Sequence, residues 1–160
     1  QKEWIDEEKG WYHPIITDFR RKTQPIIRYR MNDILVSSKT TCPCGDAREV
    51  IHSVMGRSDD VFHLEKSDGS IEMIVPDLIR RAVMQMSDEI TDYIAIQKGP
   101  ELIEVQLKPD GLGELSMSGF DDLWLTKSVK PPNVEVTKYS HIPSTTKLRR
   151  IYREKFSSDD

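Results

Sequence analysis

Three groups of side chains in this sequence have the types and spacing to do chemistry. The stretch "GRSDDVF", residues 56–62, sets Arg57 close to Asp59 and Asp60, just after an apolar run and just before a β-rich one. Charges packed this closely mark a turn or a solvated edge. A hinge between domains, or a polar clamp for a ligand, are the other readings. "TCPCGD" holds the only two cysteines, Cys42 and Cys44. Two thiolates brought together by a turn are half of a tetrahedral Zn2+ site, which His13, His52, His63 or residues outside the chain would have to complete. The alternative is a pair of thiols in a loop with no ligand, and a C-x-C disulfide is disfavoured by strain. The third group is the basic run Lys147, Arg149, Arg150, Arg153 and Lys155. Such runs are most often solvated faces, and a nucleic-acid role is disfavoured by the acidic balance of the chain.

The elements that must position these groups are legible in outline. "HPIITDF" and "PIIRYRMNDILVS" are rich in β-branched and aromatic residues and carry prolines near their starts, which suits strands near a sheet edge. "SSKTTCPCGDA" is a loop, and "REVIHSVMG" returns to strand. Beyond Val61, "VFHLEKSDGSIEMIV" predicts two short strands joined around Asp68-Gly69, a dipeptide favoured in tight hairpins. "PDLIRRAVMQM" predicts a helix with Pro76 at its first position, and Leu78, Ile79, Ala82, Val83 and Met86 fall on one face. Met84 and Met86 read as core filler.

"DYIAIQKGPELIEVQLK" predicts two strands around Gly99-Pro100. In the second, Ile103, Val105 and Leu107 alternate with Glu104, Gln106 and Lys108. "GFDDLWLTKSV" reads as a short helix and "NVEVTKY" as a strand. The tail "TTKLRRIYREKF" is expected to be helical, with Leu148, Ile151 and Tyr152 on one side. The fold class is therefore α+β: a β-rich tail, then a small α+β domain with a short sheet and packed helices.

The chain has 160 residues, a net charge of -4, 37% hydrophobic and 31% charged residues. These values fit a globular protein and argue against general nucleic-acid binding. No apolar run approaches the ~18 residues of a membrane span, and the charged start "QKEWIDEEKGW" lacks the apolar stretch of a signal peptide. The protein is expected to be cytoplasmic, and the chain, opening on Gln1, to be an excised piece of something longer. Trp4, Trp11 and Trp124 show no pattern for stacking single-stranded nucleic acid.

Three stretches together resemble the adenylate-forming superfamily of acyl-CoA synthetases and adenylation domains. "PIIRYRMND" resembles its Tyr-Arg-Thr-Gly-Asp core, "GRSDD" its Gly-Arg-x-Asp hinge, and "PSTTKLRR" its C-terminal Pro-x-x-Ser-Gly-Lys-x-x-Arg motif. They occur in the family's order, with Arg57 and Lys147 separated by the length of one small domain. "QPIIRYRMNDIL" followed by "CPCG" looks most like the phenylacetate–CoA ligase and capsule-related branch. The resemblance implies that residues 1–58 are the end of the N-terminal, nucleotide-binding domain and residues 59–160 the mobile C-terminal domain. It also implies an upstream large domain that carries the phosphate loop and the carboxylate pocket, so the fragment alone is expected to be inactive.

By that resemblance the full-length protein is an ATP-dependent acid–thiol ligase. It would activate a small carboxylic acid with Mg2+ and ATP to an acyl-adenylate and then form a thioester with CoA. Asp33 would accept hydrogen bonds from the ribose hydroxyls, with Arg57 and Tyr29 as further nucleotide ligands. Asp59 would be the hinge residue and Lys147 the catalytic lysine. The ordinary readings are a turn-capping aspartate for Asp33, a surface ion pair with Asp59 or Asp60 for Arg57, a solvated neighbour for Asp60 and a plain basic run for Lys147. Two departures bear on the match. Met31 and Asn32 stand where Thr and Gly are usual, and Asn32 is expected to take the left-handed backbone of the glycine. "TTK" replaces "SGK", so Thr146 lacks glycine's freedom. Other classes consistent with the sequence are a non-catalytic binding or regulatory module that keeps the fold, and a small zinc-binding interaction domain centred on "CPCG".

Overall fold

The computed structural model describes residues 1–20, 22–140 and 148–155. It is a mixed α+β structure whose backbone contacts divide it into two compact units, Gln1–Asp59 and Asp60–Asp160.

The first unit is a five-stranded antiparallel sheet: β1 (Lys2–Asp6), β2 (Trp11–Asp18), β3 (Ile26–Arg30), β4 (Asp33–Ser37) and β5 (Ile51–Arg57), in the order β1-β2-β4-β5 with β3 also on β2. The segment expected to be one strand is two. β3 pairs with the distal half of β2, β4 pairs with its start, and the break falls at Met31–Asn32. The β1–β2 hairpin turns through Gly10, at φ 74°, where a Cβ would stand 3.2 Å from the carbonyl oxygen of Ser37. Tyr12 and Ile34 are buried beside His13. The Trp4 and Tyr12 rings meet edge to face at 5.5 Å, and the Lys2 ammonium lies 4.6 and 4.8 Å from their centroids.

A short 3-10 turn, Ser58–Asp60, precedes the second unit. This unit opens with the hairpin β6 (Phe62–Glu65) and β7 (Ile71–Ile74). Its turn uses Gly69 at φ 84° and the Asp68 carboxylate, which accepts from the Ser70 amide and hydroxyl. Helix α1 (Pro76–Met84) starts at the expected proline, and Asp77 in its first turn pairs with Arg80 and Arg81. Strands β8 (Asp92–Gly99) and β9 (Leu102–Lys108) form the antiparallel centre of a four-stranded sheet, with β10 (Asn133–Lys138) parallel on β9 and β11 (Ile151–Arg153) parallel on β8. Helix α2 (Ser118–Lys127) packs on α1.

One apolar core joins these elements: Phe62, Leu64 and Ile74 from the hairpin, Ile79 and Val83 from α1, Ile103 and Val105 from β9, and Phe120 from α2. Met86 is buried, whereas Met84 is exposed. Gln97 is fully buried on β8, and its amide takes the place of a strand partner for β6. Oε1 accepts from the His63 amide at 2.9 Å while Nε2 donates to the His63 carbonyl at 2.7 Å.

Two expectations are corrected here. The tail is a strand rather than a helix: Ile151 is buried against the core, the Ala95 amide donates to the Arg150 carbonyl, and the Glu154 amide donates to that of Gln97. Pairing with β8 outweighs the helix-like spacing of Leu148, Ile151 and Tyr152. Asn32, for its part, has no left-handed backbone. Arg28 and Ser128 are the non-glycine residues with positive φ among those described.

The helix–helix contact is close enough to be tested. A Cβ on Gly119 would stand 2.3 Å from Oε1 and 3.0 Å from Cβ of Gln85, and 3.1 Å from Cα of Ala82. The Gln85 amide can swing away, but the backbone of α1 cannot. Gly119→Ala is therefore expected to destabilise this unit by about 1–3 kcal/mol through overpacking, read as a lower urea midpoint.

Candidate functional site

At one end of the β4–β5 ladder the structure gathers four residues from the two stretches singled out above. Asp33 begins β4 and lies directly opposite Arg57, which ends β5, so their side chains share one face of the sheet. The 31–32 break sets up this corner: the Met31 amide donates to the Pro14 carbonyl at 3.0 Å, and the Asn32 carbonyl accepts from the Ser58 amide at 2.8 Å. Asn32 Nδ2 donates to Asp59 Oδ1 at 3.0 Å. The Asn32 side chain thus ties the break to residue 59. That bond could not have been read from spacing, because its partners lie 27 positions apart.

His13, buried on β2, has Nδ1 3.0 Å from the Asp33 carbonyl oxygen and so fixes the start of β4 from beneath. The Asp33 carboxylate and the Arg57 guanidinium, by contrast, have no hydrogen-bond or ion-pair partner among the described residues. The ion pair expected as the ordinary role of Arg57 is not formed: Asp59 bonds Asn32, and Asp60 bonds Arg149. Asp33 also lines an open groove of about 700 Å³, with Tyr12, Pro14, Ile16, Met31 and Leu35 among its walls. Tyr29 stands on β3 opposite Ile16, exposed.

The other sequence candidates lie elsewhere. Lys147 falls outside the described residues. Asp60, expected to be a solvated neighbour, accepts a hydrogen bond from Arg149 Nε at 3.0 Å and a further one from Nη2. Cys42 and Cys44 are unbridged, with their sulfurs 2.7 Å apart on a turn closed by the Gly45 amide and the Cys42 carbonyl. The hydrogen bond with Cys42, helped by the Asp46 backbone, holds the Cys44 thiol below the ordinary thiol pKa. Among the described residues no group of three or more His, Cys, Asp and Glu side chains converges as a metal site would require. No helix among them is long and apolar enough to cross a membrane.

Asp92, which carried no sequence signal, is a carboxylate of the second unit with three hydrogen-bond donors around it. It accepts from Arg150 Nε at 2.8 Å, from the Tyr139 hydroxyl at 2.9 Å and from the Tyr93 amide at 2.9 Å. Partial burial pushes its pKa up, but the bonds from Arg150, Tyr139 and Tyr93 together outweigh this and hold it below the usual carboxyl value. The stabilisation from this cluster is thus present above the ordinary carboxyl range and lost as pH falls through the lowered value.

No protein-family model matches the sequence, and a comparison with curated proteins finds no match. Solved structures do match. 2-Hydroxyisobutyryl-CoA ligase in the postadenylation state with R3-HIB-AMP aligns over 91% of this chain and 32% of its own, at 22% identity and TM-score 0.53. The same ligase with 2-HIB-AMP aligns over 96% and 36%, at 20% identity and TM-score 0.56. Its open conformation with 2-HIB-AMP and CoA aligns over 97% and 36%, at 20% identity and TM-score 0.50. The chain shares its fold with the matched part of 2-hydroxyisobutyryl-CoA ligase. The chain spans about a third of the length of those ligase chains.

Proposed function

We propose that the full-length protein containing this chain is an adenylate-forming ligase. The carboxylate of a small acid would attack the α-phosphate of ATP, releasing pyrophosphate and leaving an acyl-adenylate, and a thiol such as that of CoA would then take the acyl group. The observation that carries this reading is the Asp33 carboxylate opposite the Arg57 guanidinium, both without a partner among the described residues, with Asp33 at the wall of a mostly apolar groove. A carboxylate accepts from vicinal hydroxyls, a guanidinium offers a rigid fork of donors to phosphate or ribose oxygens, and an apolar wall suits a flat base. Exposed Tyr29 would contribute from β3. The shared fold with a CoA ligase is consistent with this use of the site.

In this reading Asp59 is the swivel. Its side chain is held by Asn32, and a short polar residue after the last strand can absorb a backbone rotation. Lys147 supplies the positive charge for the transfer step. Mg2+ would arrive bound to ATP and would supply Lewis-acid polarisation of its phosphates. The finer assignment to a phenylacetate–CoA ligase-like enzyme rests on "QPIIRYRMNDIL" and "CPCG". The enzyme would work in the cytoplasm, where ATP, CoA and reduced thiols coexist.

The test is pyrophosphate release by the full-length protein with Mg-ATP across a panel of aryl and aliphatic acids. Release that depends on one acid is the expected result and names the substrate class. Folded protein that releases none with any acid would overturn the proposal in favour of a non-catalytic module.

A further inference from the structure

The sequence sets Cys42 and Cys44 on either side of Pro43, and the fold of the loop between β4 and β5 makes them a pair. Proline holds the second position of a turn at the φ the turn requires. The Gly45 amide closes this one on the Cys42 carbonyl at 3.0 Å, with Gly45 itself at φ 81°. The two sulfurs are thereby brought to 2.7 Å, within hydrogen-bond reach of each other. Cys44 is exposed, whereas Cys42 is half-buried. Among the described residues no third metal-ligating side chain joins them, and the carboxylate that follows in sequence, Asp46, is engaged by Arg48 at 2.9 Å. The base of the loop is closed independently of the thiols. The Ser38 amide donates to the Val50 carbonyl at 2.9 Å, and the Ser37 hydroxyl donates to Glu49 at 2.7 Å. Chemistry at the tip therefore leaves the β4–β5 ladder in place.

We propose that Cys42 and Cys44 form a reversible oxidation site that exchanges with the disulfide of a small thiol, of the class of glutathione disulfide. The exchange takes two displacements. The exposed Cys44 sulfur, its proton given to solvent, attacks one sulfur of the small disulfide; that S–S bond breaks and one small thiolate leaves. The Cys42 sulfur, also deprotonated, then attacks Cys44 in the mixed disulfide, forming the Cys42–Cys44 bond and expelling the second small thiolate. The protein gives up two electrons and two protons, and the small disulfide is reduced to two thiols. Exposure assigns the order, since Cys44 meets the reagent and Cys42 stands beside it as the resolving sulfur. Because the turn already holds the two sulfurs together, the second displacement needs no search of the loop. The strain expected of a ring closed across one residue makes the bond easily reduced, which is the character of a labile disulfide and not of a structural one. The site is independent of the ligase reading.

The experiment exposes the full-length protein to glutathione disulfide, quenches it in acid, alkylates the free thiols and digests with trypsin. Cleavage after Lys39 and Arg48 releases residues 40–48, which carry both cysteines. Mass spectrometry of that peptide should find it lighter by two hydrogen atoms, closed to alkylation and free of glutathione. Reduced glutathione alone should restore both thiols. Cys42→Ser and Cys44→Ser should each keep glutathione on the remaining sulfur, with Cys42→Ser, which leaves the exposed sulfur, capturing it faster. Closure should run about tenfold faster in the folded protein than in the same protein unfolded in urea, because folding holds the sulfurs together.

A wild-type peptide that retains glutathione on one sulfur, or that keeps both thiols free after long exposure, would overturn the proposal. Equal closure rates in folded and unfolded protein would do the same, since the folded turn would then contribute nothing. Full-length protein purified with bound Zn2+, its two thiols protected until a chelator removes the metal, would overturn it in favour of a metal site completed by residues outside this chain.

Discussion

Replacing Phe120 with alanine is expected to lower the stability of the Asp60–Asp160 unit by about 3–5 kcal/mol. Phe120 is fully buried and stacks on Trp124 with ring centroids 5.4 Å apart and planes 28° from parallel. It belongs to the one apolar core that joins the β6–β7 hairpin, both helices and the central sheet. Truncation removes the transfer free energy of the ring and leaves a cavity bounded by helix and sheet backbones that cannot close over it. Phe19, which is 90% exposed in the first unit, provides the internal contrast: Phe19→Ala should change stability by no more than about 0.5 kcal/mol. Urea unfolding followed by near-ultraviolet circular dichroism would separate the two. A Phe120→Ala midpoint matching wild type would mean that this core is not what holds the second unit together.

The parts of the fold that were legible beforehand are those written in local chemistry. Asp68-Gly69 with flanking apolar runs encodes a hairpin, Pro76 starts α1, and the alternation from Ile103 to Leu107 encodes β9. In each case the residues that decide the conformation are neighbours in the chain. Misreadings came where a distant partner decides. "LRRIYREKF" has helical spacing, yet Ile151–Arg153 pairs with Ala95–Gln97 of β8, more than fifty residues away. "PIIRYRMNDILVS" is continuous in β-propensity, yet its break at Met31–Asn32 is set by Pro14 and Ser58. The start of the chain reads as charged surface, but Lys2–Asp6 is a strand because Trp11–Asp18 lies beside it.

The same division runs through the candidate site. Asp33 and Arg57 were both singled out, but that they face each other follows only from the register of β4 on β5. Asp60 looked like a solvated companion of Asp59 because its partner, Arg149, is 89 residues on. Asp92 sits in "SDEITDYIAI", where nothing distinguishes it from the other acids. Its importance lies wholly in Tyr139 and Arg150. Carboxylates are common enough that their partners, and not their presence, carry the information.

Under the proposed ligase function, Lys147→Ala and Asp33→Ala are expected to impair the full-length protein in different ways. Lys147→Ala should lower kcat for pyrophosphate release by about 10²–10³-fold, the usual effect of removing one charge that acts on the transition state. An ammonium delivered to the α-phosphate meets charge that grows only as the carboxylate attacks, so its loss leaves KM for ATP nearly unchanged. Asp33 is a different kind of group. Its backbone is fixed at the start of β4 by the register with Arg57 and by the His13 contact to its carbonyl oxygen. In the proposed role its carboxylate binds ribose hydroxyls, which are as well bound before the reaction as during it, so Asp33→Ala would remove uniform binding.

Hydrogen bonds to a charged group contribute about 1.5–3 kcal/mol, so KM for ATP should rise by roughly 10–100-fold with kcat preserved. Arg57→Lys should resemble Asp33→Ala in direction, because a point charge cannot reproduce the guanidinium fork. Steady-state kinetics with ATP as the varied substrate would distinguish the two signatures. A kcat effect at Asp33 with KM intact would place the reacting phosphate, and not the ribose, at the β4–β5 corner. Lys147 would then have to be assigned a target elsewhere on the nucleotide.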